Sequence, residues 1–143
     1  MRNFGMSMIC FWMGYITVTA LRFIHTIFNI TILHMSTMKD GHGRIEGYEK
    51  TKPWHPLCSI IIFTLFGWLY LRNIVEPDLT EALVTGGIWA GVCIIFDLIA
   101  WVLIRHPYRF TFKEFYIDYQ PWLTLIYIAI FCAPVIAYFL LRR

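Results

Sequence analysis

Four apolar runs, each close to the length of a helix that crosses a bilayer, take up most of this 143-residue chain. The first, Phe4 to Leu21, holds no charged residue across 18 positions. Backbone amides in hydrocarbon have no water to bond, so runs of this length are read as helices, which satisfy their own N–H and C=O groups. Hydrophobic residues make up 59% of the chain and charged ones only 15%, where a soluble domain carries about a quarter charged. Spans are expected at residues 4–26, 54–75, 79–104 and 121–141. The expected fold is therefore an all-α integral membrane protein, a single up-down bundle of four transmembrane helices over residues 1–143. No room is left for a separate soluble catalytic domain.

Between the spans the punctuation is uneven. After the first run, Arg22, His25, Thr26 and Asn29 recur at helical spacing on one stripe, so the helix is expected to continue past the membrane edge with one polar face. Residues 35–53 form the most polar stretch, with glycines on either side of His42, and read as a solvated cytoplasmic loop. Pro56 suits the first turn of the second span. Asp78, with Glu81 three residues on, has N-cap spacing for the third. Before the fourth span lies RHPYRFTFKEFYIDYQP, which holds six aromatic residues. Thr111 and Glu114 there have capping-box spacing, and Phe112, Phe115, Tyr116 and Tyr119 recur on one helical face. That pattern predicts a short amphipathic helix over 111–119, lying in the headgroup zone. Pro134 predicts a kink in the last span.

Basic residues near the span ends give an orientation. Arg2, Arg72, Arg142 and Arg143 fall on one side; Arg22, Lys39, Arg44, Lys50, Lys52, Arg105, Arg109 and Lys113 fall on the other. The more basic side is expected to be cytoplasmic, which places both termini outside the cell membrane. A cleaved signal peptide ending at Val18-Thr19-Ala20 is the rival reading, and it would put the most basic loop outside. The Pro-Trp openings at 53–54 and 121–122 and the Leu-Arg closures at 71–72 and 141–142 hint at a duplicated hairpin, although interface residues explain them without one. The net charge of +3 is scattered at span ends, which suits lipid headgroups and argues against nucleic acid as a partner.

Few polar residues are left to carry chemistry. Asp97 is a carboxylate inside an otherwise apolar span, and burying such a charge costs about 3 kcal/mol on insertion scales, so it should face protein. Arg22 is its expected counter-charge, with Thr19 or Asn29 as alternative donors, and the pair is the candidate ion or proton site. Ala82, Gly86, Ala90 and Cys93 stack with Asp97 on one helix face, and Gly87 and Gly91 add a GxxxG pair beside it, which predicts close helix packing along this stripe. His25, His55 and His106 are weak metal candidates because no HExxH or other diagnostic spacing joins them. Cys10, Cys58, Cys93 and Cys132 form no CxxC pair and read as buried small hydrophobes.

No cofactor is expected from these motifs, and an enzyme is the less favoured class. The favoured one is an accessory or regulatory subunit that acts through helix contacts with a membrane-protein partner or a second copy, in a lipid bilayer. A small oligomeric transporter or channel using Asp97 is the alternative. A membrane metal or redox enzyme comes third.

Overall fold

The computed structural model describes residues 2–35, 46–106 and 109–142, so His42 and most of the expected polar loop lie outside the described residues. Every regular element among them is helical: α1 (Phe4–Thr31), α2 (Glu46–Glu49), α3 (His55–Leu71), α4 (Leu79–Asp97), α5 (Phe112–Tyr116) and α6 (Trp122–Leu141). A 3₁₀ turn, Lys52–Trp54, leads into α3, and a π-helical segment, Leu98–Leu103, continues α4. Four of the helices are long and apolar enough to cross a membrane: Phe4–Thr31, Glu46–Leu71, Leu79–Leu103 and Trp122–Leu141.

Local chemistry accounts for where these helices begin. The Asn3 side chain accepts the Met6 N–H at 3.0 Å, capping α1. Asp78 does the same for α4 through the Glu81 N–H at 2.7 Å. Thr111 and Glu114 complete both halves of the capping box on α5. Pro134 sits inside α6 without ending it.

Packing order is less local. The broadest interface joins α3 and α6, followed by α4 with α6 and α1 with α3, whereas α1 and α4 touch only lightly. Around the bundle the order is thus α1, α3, α6, α4, and consecutive α3 and α4 share no substantial interface. Two glycines permit the close approaches on α6. A Cβ on Gly67 would sit 3.1 Å from the Pro134 Cα, and one on Gly86 would run into the Phe131 carbonyl. A core of rings from three helices fills the centre, with Phe11, Phe63 and Trp89 centroids 5.8–6.2 Å apart. The Trp89 indole N–H donates to the buried Ser7 hydroxyl at 2.9 Å, which ties α4 to α1 by side chains where their backbones stay apart.

At one end, the extreme N-terminus latches the α3–α4 link. Arg2 donates to the carbonyl of Glu76 at 3.0 Å and pairs with Asp78 at 3.1 Å, while its amide reaches Glu81 at 2.9 Å. At the other end the structure departs from the expected solvated loop. Residues 46–49 fold onto α1, where the Asn29 amide donates to the Gly47 carbonyl at 3.0 Å, and Thr51 and Lys52 are buried beside Tyr48, His55 and Tyr119. Polar composition pointed to solvent there because the partners that satisfy it lie on another element. The helix expected over 111–119 is shorter, Phe112–Tyr116, and its stripe divides: Phe115 and, beyond the helix, Tyr119 turn onto the bundle, while Phe112 stays exposed.

The distribution of polarity runs inside out. Ile9, Ile16, Ile61, Leu65, Ile95, Ile128 and Phe139 are exposed around the outside, while Ser7, Ser59 and Asp97 are buried within. An apolar exterior of this extent fits apolar surroundings.

Candidate functional site: the buried polar centre around Asp97

Asp97 ends the regular turns of α4, only 6% exposed, with its carboxyl turned toward α1 and α6. The Tyr15 hydroxyl of α1 donates to Oδ1 at 2.6 Å, and the Tyr127 hydroxyl of α6 donates to Oδ2 at 3.2 Å. From one turn earlier on α4, the Cys93 thiol reaches Oδ2 at 3.6 Å. Tyr15 is itself held, because the Trp101 indole N–H donates to its oxygen at 2.8 Å. Trp101, Tyr15 and Asp97 thus form a chain of donors that ends on the carboxyl, and each bond polarises the next. Three helices meet here through side chains that neutralise the need for water around a carboxyl group.

Arg22 does not make the expected ion pair. Its Nη2 donates to the Ser59 hydroxyl on α3 at 2.8 Å, and Ser59 in turn donates to the His55 carbonyl at 2.9 Å. The Arg22 Nε is buried and has no partner among the described residues. Helix order accounts for this: α3 is the main neighbour of α1, and the guanidinium extends to Ser59. Neither alternative donor reaches Asp97. Asn29 is committed to Gly47, and Thr19 lines a shallow apolar groove of about 280 Å³ with Tyr15, Ile16, Ala20 and Phe23.

Beside this lies a second buried group, centred on His55, which is 1% exposed. The Thr51 hydroxyl spends its proton on the Tyr48 carbonyl at 2.7 Å, so it accepts from His55 Nε2–H at 2.9 Å. That leaves Nδ1 as an acceptor for the Tyr119 hydroxyl. Burial pushes the Tyr119 phenol well above its ordinary range, which keeps it a neutral donor. Over its ring, 5.0 Å from the centroid, rests the Lys52 ammonium, which pairs with Glu49 at 2.8 Å. His55 is thereby a satisfied core histidine, with both ring nitrogens engaged. His106 Nε2 faces the Ala100 carbonyl at 2.8 Å, and His25 is half-buried on α1. Among the described residues no three His, Cys, Asp or Glu side chains converge as a metal-binding set.

On the small-residue stripe, Ala82 and Gly86 are buried and Ala90 is half-buried. Gly87 and Gly91 differ from these: a Cβ on either would meet nothing within 4 Å, so the GxxxG pair looks outward and the close approach to α6 belongs to Gly86. Sequence reasoning missed Tyr15, Trp101 and Tyr127. Their signal was a hydroxyl or indole N–H inside an apolar run, and an aromatic ring there reads equally well as core packing or lipid contact. No protein-family model, curated protein or solved structure matches the chain.

Proposed function

We propose that this chain is a multi-pass protein of the cell membrane, an up-down bundle with both termini outside, and that it acts by contact as an accessory or regulatory subunit. The observation that carries the reading is the complete commitment of the Asp97 oxygens to donors on α1, α4 and α6 of the same chain. Between helices in lipid there is little hydrophobic driving force, so hydrogen bonds and close packing fix their arrangement. A clasp at Asp97 supplies that service and leaves the outer faces for partners. The open surface around Gly87 and Gly91 supports a helix contact there. Gentle solubilisation of tagged protein, followed by mass spectrometry, tests this. A partner at near-equal amount is expected. A partnerless protein that is active alone in liposomes would overturn the reading.

One observation favours a second reading, an oligomeric transporter or channel. Arg22 brings a guanidinium into the same interior with an uncommitted Nε, which is an arrangement suited to a charge that moves. Under that reading Asp97→Asn abolishes flux while expression is retained, and unchanged flux removes Asp97 from the mechanism.

A further inference from the structure

At the Arg22 end of the bundle Lys52 pairs with Glu49 and Arg22 with Ser59, but three further cations there differ from those at the Arg2 end. At the Arg2 end the cations are occupied: Arg2 pairs with Asp78, Arg72 stacks on Trp68 at 4.8 Å, and Arg142 stacks on Tyr138 at 5.2 Å. At the opposite end Arg105, Arg109 and Lys113 are exposed, and none has a side-chain hydrogen bond or ion pair among the described residues. Exposed apolar side chains alternate with them, namely Ile104, Phe112 and Ile117.

Hydrogen bonds tie described backbone on this edge to the bundle. The Phe110 N–H donates to the Trp101 carbonyl of the π-helical segment at 2.9 Å. The Arg109 N–H donates to the His106 carbonyl at 3.1 Å, and the His106 ring meets the Ala100 carbonyl at 2.8 Å. The capping box then fixes α5 and with it Lys113. With Glu114 and Asp118 of the same segment engaged in other contacts, three exposed cations beside exposed apolar side chains are matched to a surface of negative headgroups above hydrocarbon.

We propose that Arg105, Arg109 and Lys113, with Phe112 and Ile117 inserted beside them, form a docking edge for anionic phospholipid. The inference rests on the chain being membrane-inserted. It adds a selectivity that insertion alone does not require. Trp101 borders both regions: its carbonyl accepts the Phe110 N–H, and its indole N–H donates to Tyr15.

The test uses the full chain in neutral detergent, titrated with phosphatidylglycerol or phosphatidylcholine and read by native mass spectrometry and by melting temperature. Phosphatidylglycerol should bind at least about tenfold more tightly, with a loss of about fivefold for each of Arg105→Gln, Arg109→Gln and Lys113→Gln. Arg2→Gln at the far end should leave that preference unchanged, and inorganic phosphate at equal concentration should not compete. Equal binding of the two lipids, a triple variant that keeps the preference, an equal loss in Arg2→Gln, or displacement by phosphate would each overturn the proposal. All three positions are exposed, so an unchanged lipid-free melting temperature confirms that the variants fold. Alkaline carbonate extraction of native membranes reads insertion separately: release of the chain sinks the membrane reading, whatever the lipid preference.

Discussion

Tyr15 and Asp97 lie 82 positions apart and meet at 2.6 Å, which makes a phenol on the first helix the shortest contact of the buried carboxyl. Tyr15 is a bridge as well as a donor, because its oxygen receives the Trp101 indole N–H. Removing that oxygen strands a donor and an acceptor at once. Tyr15→Phe should lower stability by about 1–2 kcal/mol, and a double-mutant cycle with Asp97→Asn should show coupling of about 1 kcal/mol. Denaturant titration in micelles followed by circular dichroism measures both, and strict additivity would show that the two groups do not act as a pair.

Adjacent glycines should behave in opposite ways. Gly86→Ala drives a methyl into the Phe131 carbonyl, a backbone atom that cannot rotate aside, so a loss of roughly 1–3 kcal/mol is expected. Gly87→Ala enters open space and should be neutral or slightly stabilising. Comparison of melting temperatures separates them. If Gly87→Leu also leaves stability intact but strips the co-purifying partner, the contact surface is located.

The His55 group offers a test at high pH. The Tyr119 phenol is raised in the folded chain relative to the unfolded one, so the folded state holds its proton more tightly. Stability from this group is complete below the ordinary phenol range near pH 10 and declines as pH rises above it. Tyr119→Phe should flatten that alkaline decline. It should also cost about 1 kcal/mol at neutral pH, because His55 Nδ1 loses its donor. Unfolding midpoints measured from pH 8 to 11 check slope and baseline together.

The buried lysine is held by one carboxylate and two rings. Lys52→Met keeps the length of the side chain and leaves Glu49, which is nearer solvent, unpaired at little cost; Glu49→Gln leaves a buried ammonium with only the Tyr48 and Tyr119 faces. The second change should therefore be the more damaging, by about 1–2 kcal/mol. Equal effects would mean that the ion pair contributes nothing specific. Chemical denaturation of the two variants side by side decides this.

Much of the site was legible as composition and little of it as contact. Asp97 stands out in an apolar run because a carboxylate there needs partners, and its burial follows from that need. Which partners it has was not legible. The pairing of Arg22 with Ser59 depends on α1 lying against α3, that of Asp97 with Tyr127 on α4 lying against α6, and that of Asp97 with Tyr15 on side chains that bridge α1 and α4. A helix that is apolar on every side carries no stripe to say which neighbour each face meets.

The sequence by itself determined the four long apolar helices, the caps at Asp78 and Thr111, and the isolation of one carboxyl among them, because run length, capping and desolvation act within a few residues. Tertiary structure alone decided the order α1, α3, α6, α4, the outward aim of Gly87 and Gly91, and the folding of residues 46–49 onto α1. Those outcomes depend on contacts between side chains far apart in the chain, such as Asn29 with Gly47 and Gly86 with Phe131, and no local pattern encodes a contact whose two halves lie on different helices.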